Sequence, residues 1–128
     1  MHADTPDPVV IFMPEGSKTH LGGTMRLGLR PTVFQPGSEW SKVRQLYGKA
    51  GQILERHRHR YEVNPDYIDR LSEAGMNFVG KDDKGERMEV VELKEHPYFV
   101  GVQFHPEYMS RVLEPSKPYL GFVAACSG

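Results

Sequence analysis

The stretch FVGVQFHPEY, residues 99–108, runs without a turn from apolar residues onto His105, Pro106 and Glu107. The nearly continuous apolar character of residues 98–104 predicts a strand covered on both faces, as the central strands of α/β sheets are. His105 would then stand at the carboxyl end of a central strand, which is the usual position of active sites in open α/β sheets. The stretch therefore predicts an α/β fold with functional groups at this edge of its sheet.

A histidine and a glutamate two positions apart can act together in catalysis. The imidazole of His105 can take a proton from a nucleophile, while Glu107 fixes the imidazole tautomer and stabilises the imidazolium. Pro106 stiffens the link by fixing its own φ. The alternative is a strand that simply ends at a proline with its polar side chains in solvent. The only thiol of the chain, Cys126, stands in AACSG without the glycine-framed elbow that exposes a nucleophile.

Length, charge and cysteine content limit the classes of protein to consider. The 128 residues amount to one domain or less, and the formal net charge of −1 gives no reason to expect a nucleic-acid or membrane partner. A single cysteine excludes an internal disulfide framework and is compatible with a reducing compartment. No apolar run approaches the roughly 20 residues of a membrane span, and the first residues lack a secretory signal. We therefore expect a cytoplasmic protein.

Strands and helices are predicted along most of the chain. The predicted strands are Val9–Met13, 24–28, 32–35, Ile53–Val63, Met76–Gly80, Arg87–Leu93 and Tyr98–Phe104. Helices are predicted from an N-cap at Ser38 to Gly48, from Asn64-Pro65 to Gly75, and from Pro118 onward. Residues 14–23, PEGSKTHLGG, read as a loop, and the turn DDKG joins two strands as a hairpin. This mixture of elements indicates an α/β protein.

The segment ERHRHRYE, residues 55–62, is the most basic part of the chain. An extended strand would place two sets of side chains on opposite faces: Arg56, Arg58 and Arg60 on one, His57, His59 and Tyr61 on the other. One interpretation is a solvated edge strand whose charges discourage aggregation. A phosphate or nucleic-acid patch is a second, which the neutral total charge weakens.

A metal site is the third interpretation of this segment, because His57 and His59 would share one face. With Glu62 they come close to the metal-binding pattern of the cupin family, although the carboxylate there usually lies one or two positions further on. Asp69 also occupies the place where that pattern has a glycine. A small cupin-like metal-binding domain is therefore kept as the alternative function.

The segment GGTMRLG, residues 22–28, brackets a short strand with glycines that permit a tight turn or a close approach to a ligand. It lacks the lysine and the Ser/Thr of a P-loop, and it is not a dinucleotide-binding fingerprint. Taken alone, it is best explained as a glycine-bracketed strand.

Together, three motifs resemble one family. GVQFHPE resembles the His and Glu signature of class I glutamine amidotransferases, and GGTMRLG followed by ERHRHRYEVNP resembles the amidotransferase domain of the CTP synthase family. The resemblance runs from about PVVIFMPE to the final helix. It implies that residues 1–128 are the C-terminal portion of a glutamine amidotransferase type 1 domain with a flavodoxin-like fold. That fold has a mixed sheet with flanking helices, and the N-terminal half of the domain would lie outside this chain.

The resemblance also implies roles for individual residues. His105 matches the catalytic base and Glu107 its orienting carboxylate, while Arg60 matches the arginine that binds the α-carboxylate of glutamine, with Tyr61 beside it. No residue is implied as a metal ligand. The nucleophilic cysteine of the family would precede Met1, so the resemblance implies that this chain alone is inactive.

Members of this family make CTP from UTP, ATP and ammonia derived from glutamine. The resemblance therefore implies glutamine, the N-terminal half of the amidotransferase domain and a synthase domain as partners, within a homo-tetramer. No cofactor is implied for this segment. ATP and Mg²⁺ would be used by the synthase domain, and GTP would activate the full enzyme.

Overall fold

Two antiparallel sheets organise the residues that the computed structural model describes, 4–13 and 25–128. The larger sheet has five strands in the order β3-β2-β5-β6-β7, and the smaller one pairs β1 with β4. The strands are β1 (Val10–Phe12), β2 (Arg26–Phe34), β3 (Gln52–His59), β4 (Tyr61–Val63), β5 (Asn77–Lys81), β6 (Met88–Glu92) and β7 (Val100–Val102). The expected mixed sheet is represented in these residues by antiparallel pairs alone.

Three α-helices accompany the sheets: α1 (Lys42–Leu46), α2 (Ile68–Glu73) and α3 (Lys117–Cys126). The apolar core is formed by Phe34, Val43, Ile53, Val79, Val90 and Phe104, with Trp40 and Tyr47 packed against it. Helix α3 lies so close to α1 that a Cβ added at Gly121 would stand 2.5 Å from Leu46 Cδ1 and 2.7 Å from the Tyr98 hydroxyl. In the described parts of the chain, no helix is long and apolar enough to cross a membrane.

Strand β2 continues through Pro31, whereas the sequence predicted two pieces separated there. Pro31 pairs with Leu54 in the register of the β2–β3 ribbon. A proline lacks the N–H of a ladder hydrogen bond and is tolerated at a strand edge. Strand β2 meets β5 only at Val33 and Phe34, so most of its second edge needs no ladder hydrogen bonds in the described residues.

Helix α1 begins three residues later than predicted. Its N-cap is Ser41, whose Oγ accepts a hydrogen bond from the Arg44 amide, while the Ser38 hydroxyl donates to the Gln35 carbonyl over 2.6 Å. The buried carboxylate of Glu92 accepts hydrogen bonds from the Ser41 hydroxyl and from the Lys42 amide. The hydrogen bonds to Glu92 of β6 therefore make Ser41, and not Ser38, the N-cap of α1.

The segment predicted as one strand over Ile53–Val63 is divided at Arg60. Strand β3 pairs with β2 in the larger sheet, and β4 pairs with β1 in the smaller one. The predicted common face of Arg56, Arg58 and Arg60 is wrong for the last of these. Arg56 and Arg58 are exposed, whereas Arg60 is half-buried because the chain bends there and passes from one sheet to the other.

Two strands are only partly enclosed, and the sequence predicted one of them as covered on both faces. Strand β1 belongs to the two-stranded sheet and leaves Val10 40% exposed. Strand β7, which precedes His105, is an edge strand of the five-stranded sheet in the described chain, with β6 as its neighbour. Residues 14–23, the predicted loop, and the first three residues of GGTMRLG lie outside the described residues.

The remaining elements confirm their predictions. Asn64 accepts a hydrogen bond from the Asp66 amide at the start of a 3₁₀ turn that leads into α2, and Gly75 follows α2 with φ 101°. The β5–β6 turn ends at Gly85 with φ 73°, a conformation that favours glycine. Helix α3 carries Pro118 in its first turn, as a proline near a helix start should be.

Candidate active site

His105 and Glu107 form a hydrogen-bonded pair. Their Nδ1 and Oε1 atoms are 2.7 Å apart, and both side chains are open to solvent, 39% and 48% exposed. A 3₁₀ turn over Pro106–Met109 follows His105, and the Tyr108 amide donates to the His105 carbonyl. The turn brings positions 105 and 107 onto one side. The predicted pair is therefore assembled within this short segment alone.

The electrostatics of the pair set the proton positions. The hydrogen bond from His105 lowers the pKa of Glu107, so this group is a carboxylate at neutral pH. A carboxylate only accepts, so Nδ1 of His105 carries the proton and a neutral ring keeps its lone pair on Nε2. The Tyr108 ring stacks on the imidazole with centroids 4.8 Å apart and planes 13° from parallel. The pair is thus arranged to accept a proton at Nε2 from an incoming group.

The turn that carries the pair is attached to β3. The backbone amide of His105 donates to the Arg56 carbonyl over 2.9 Å. The ring of His57, the next residue of β3, meets Phe104 edge-on at 6.1 Å between centroids. Strand β3 therefore holds the His105–Glu107 turn through these two contacts, although the strand and the turn are distant in sequence.

Arg60 and Tyr61 follow the last residue of β3, with Arg60 at the bend and Tyr61 as the first residue of β4. The Arg60 carbonyl accepts a hydrogen bond from the Met13 amide, and its Nε is buried without a hydrogen-bond partner among the described residues. The Tyr61 ring packs on Phe12, with centroids 4.3 Å apart. The structure thus places these two predicted residues directly after β3, the strand that also holds the His105–Glu107 turn.

A buried network of charged side chains lies behind β3. Arg26 of β2 reaches Glu89 of β6 over 3.3 Å and Asp82 over 3.9 Å, and Asp82 accepts from the backbone amides of Glu86 and Arg87. Burial raises the pKa of Glu89 to about 7, against the opposing effect of Arg26. The sequence reasoning missed this network, although a glutamate inside MEVVE is a signal because buried strand interiors are normally apolar.

Two histidines extend the network toward Arg60. His57 Nδ1 lies 3.0 Å from His59 Nε2 and 3.6 Å from Glu89 Oε2, and His59 Nδ1 lies 2.9 Å from the Tyr61 carbonyl. Burial, with lesser effects of Arg26 and His59, lowers the pKa of His57 to about 3. Burial also lowers the pKa of His59. Both imidazoles are therefore neutral at physiological pH.

The metal-binding alternative does not keep its predicted partners. Glu62 accepts from Arg87 Nε over 2.9 Å, and it is Glu89 that brings a carboxylate to within 4.8 Å of the ligand atoms of His57 and His59. Glu89 already faces the guanidinium of Arg26, and both ring nitrogens of His59 face hydrogen-bond partners. Both ring nitrogens of His59 are thus engaged within the protein, whereas His57 Nε2 and the two Glu89 carboxylate oxygens are buried without a hydrogen-bond partner among the described residues.

Comparison with known proteins is consistent across sequence and structure. The profile of the family Glutamine amidotransferase class-I matches residues 7–125. CTP synthase of Neurospora crassa is 73% identical over 120 residues, covering 94% of this chain and 21% of the relative. CTP synthase 2 of Saccharomyces cerevisiae is 62% identical over 122 residues, covering 95% of this chain and 21% of the relative.

A solved structure, "Trypanosoma brucei CTPS - glutaminase domain with bound acivicin", matches with a TM-score of 0.85 and 35% identity over 97% of this chain and 47% of its own. The chain spans about one fifth of the length of the curated relatives named above. The cupin alternative is not supported, because the family, the relatives and the fold agree on another assignment. The chain belongs to the class I glutamine amidotransferase family and matches the amidotransferase region of CTP synthase.

Proposed function

We propose that this chain supplies the general base and a substrate-binding arginine for glutamine hydrolysis in a CTP synthase. The observation that carries the proposal is the hydrogen bond between His105 Nδ1 and Glu107 Oε1, 2.7 Å long and open to solvent. A carboxylate bonded to Nδ1 directs proton transfer to Nε2 and stabilises the imidazolium that forms. This is the chemistry that activation of a thiol for attack on an amide requires.

The proposed reaction proceeds through a covalent intermediate. Nε2 of His105 takes the proton of a cysteine thiol that lies outside these 128 residues, and the sulfur attacks the side-chain amide carbon of glutamine. The imidazolium then gives its proton to the leaving nitrogen, so ammonia departs and a thioester remains. Water, deprotonated by the same imidazole, hydrolyses the thioester to glutamate and restores the thiol.

Arg60 is the proposed ligand of the glutamine α-carboxylate. A guanidinium can grip a carboxylate through two parallel hydrogen bonds, and a half-buried position strengthens that attraction. Arg60 is half-buried, and within residues 4–13 and 25–128 its Nε has no hydrogen-bond partner that would compete with a ligand. Tyr61 is proposed to line the same end of the site.

The activity of the whole protein is proposed from the relatives named CTP synthase, of which this chain spans about one fifth. We propose that the ammonia aminates UTP at the expense of ATP and Mg²⁺ in a synthase domain outside this chain, with GTP as activator. A homo-tetramer in the cytoplasm is proposed as its working state. On this proposal the 128 residues alone release no ammonia, because their one cysteine, Cys126, is not in an elbow.

The test uses the full-length protein that contains this segment. His105→Ala should reduce the rate of glutamine-driven CTP formation by several orders of magnitude. It should leave the rate with added ammonia unchanged, because the base serves glutamine hydrolysis alone. Both rates are measured by the absorbance of CTP formed. His96→Ala, an exposed histidine on another turn, is the matched control and should change neither rate. Equal loss of both activities in His105→Ala would mean that His105 is structural.

A further inference from the structure

The bend at Arg60 has few structural constraints of its own. It joins β3, which has eight residues, to β4, which has three and pairs only with the three-residue β1 in the described chain. Besides the β1–β4 pairing, two contacts within the described residues hold the backbone there: the Met13 amide donates to the Arg60 carbonyl over 3.0 Å, and the His59 ring contacts the Tyr61 carbonyl over 2.9 Å. The second contact comes from a side chain and can be altered by mutation.

The hydrogen-bond partners of His59 determine its tautomer. A carbonyl only accepts, so His59 Nδ1 must carry the proton that it shares with Tyr61. A neutral His59 then accepts at Nε2, and His57 Nδ1 must donate to it. His57 Nδ1 also lies 3.6 Å from Glu89 Oε2, and Glu89 faces Arg26, so the donating nitrogen is next to the charged part of the network. The whole chain of contacts leads to the carbonyl beside Arg60.

Burial makes this arrangement rigid. His57 and Glu89 are 2% and 1% exposed, and His57 also packs against Phe104. Buried polar groups are costly to leave unpaired, so the two hydrogen bonds of the His59 ring favour this arrangement over its alternatives, while His57 Nε2 and the Glu89 oxygens have no hydrogen-bond partner among the described residues. Phe104 directly precedes His105, and His59 directly precedes Arg60. The His57 ring, which contacts both Phe104 and His59, thus lies between the two predicted parts of the site.

We propose that His59 is a positioning residue for glutamine recognition. Its ring holds the Tyr61 carbonyl and thereby fixes the bend from which the Arg60 side chain leaves the backbone. His57 donates to Nε2 of the same ring and supports the tautomer that the Tyr61 carbonyl requires. The inference rests on the proposed function, in which Arg60 binds the α-carboxylate of glutamine, and it extends that function to a residue that does not touch the substrate.

The experiment compares two variants of the full-length protein. His59→Asn places an amide N–H close to the position of Nδ1, whereas His59→Phe keeps a ring of similar size without any donor. His59→Phe should raise the glutamine KM about fivefold, the effect of one lost neutral hydrogen bond, with kcat within about twofold of wild type. His59→Asn should recover most of that affinity. Ammonia-driven CTP formation should stay at the wild-type rate in both variants.

Arg60→Lys and Arg58→Lys complete the design. Arg60→Lys should raise the glutamine KM about tenfold to a hundredfold, because the ammonium loses the two-pronged grip. Arg58→Lys, on the exposed face of β3, should behave as wild type.

If Arg60→Lys has its effect and His59→Phe does not, the positioning role of His59 is refuted and the proposed function stands. If Arg60→Lys behaves like Arg58→Lys, the role assigned to Arg60 fails first. A fall in the ammonia-driven rate of His59→Phe, or no recovery in His59→Asn, would also refute the proposal.

Discussion

At the scale of single residues, His57 combines deep burial with a proton equilibrium displaced by its surroundings. Its pKa of about 3 in the folded chain lies below the 6.5 of an ordinary imidazole. Between these values the unfolded chain binds a proton that the buried ring does not, so the free energy of unfolding falls as the pH falls. Glu89, with its pKa raised from 4.5 to about 7, acts in the opposite direction between those two values. Below about pH 4.5, the His57 effect is therefore the one that remains of this pair.

We predict that His57→Gln flattens the acid side of the stability profile. The variant cannot take up the proton, so its free energy of unfolding should fall less than that of wild type between about pH 4.5 and pH 3.5. Urea unfolding followed by circular dichroism at each pH measures the difference. Glu89→Gln is the control and should keep nearly the wild-type slope in the lower half of that window, since below about pH 4 its carboxyl is mostly protonated in both states. Parallel slopes for wild type and His57→Gln would show that His57 is charged in the folded chain.

At the scale of elements, helix α3 depends on the absence of a side chain at Gly121. We predict that Gly121→Ala destabilises the fold by about 1–3 kcal/mol, the usual cost of overpacking, less up to about 1 kcal/mol gained in helix propensity. The new methyl would displace Leu46 or Tyr98, and the Tyr98 hydroxyl donates to the Pro118 carbonyl over 2.7 Å. A thermal melt shows the loss as a lower Tm. Ala125→Ser on the exposed side of α3 should leave the Tm almost unchanged.

Element boundaries show where local sequence patterns are sufficient. Ser38 and Ser41 are equally good N-caps by residue type, and the choice is made by Glu92, which lies 51 positions from Ser41. The bend at Arg60 was not predicted because residue alternation continues through it. On the proposal above, the contact between His59 and the Tyr61 carbonyl fixes the bend, and that contact depends on how the ring packs. The turn at Gly85 was predicted because its chemistry is local.

The same distinction applies to the site. His105 and Glu107 could be paired from the sequence, since two positions across one proline leave the side chains within reach of each other. The buried network could not, because Arg26 and Glu89 belong to strands that are not even neighbours in the sheet. Their proximity follows from the order of strands, for which the sequence carries no local signal.

At the scale of the whole molecule, this chain holds the proposed base but no suitably placed thiol. We predict that the purified 128-residue chain releases no ammonia from glutamine above the rate in buffer, because His105 has no nucleophile to activate. A coupled glutamate dehydrogenase assay measures the release. Cys126, exposed at the end of α3, is the only cysteine, so Cys126→Ser is the control. Ammonia release that survives in Cys126→Ser would require another nucleophile and would overturn the proposed mechanism.

The attachment of the His105 turn at Arg56 has a further consequence for the choice of substrate. Arg56 and Arg60 are four positions apart, so a rise of about 3.3 Å per residue allows at most roughly 13 Å between them, and the bend at Arg60 keeps the distance within this limit. On the proposed roles, β3 and the bend after it set the distance between the base, attached at Arg56, and the carboxylate-binding Arg60. Asparagine, one methylene shorter than glutamine, could then contact Arg60 or the catalytic base, but not both at once. The length of a strand would thus discriminate between two amides that differ in nothing else.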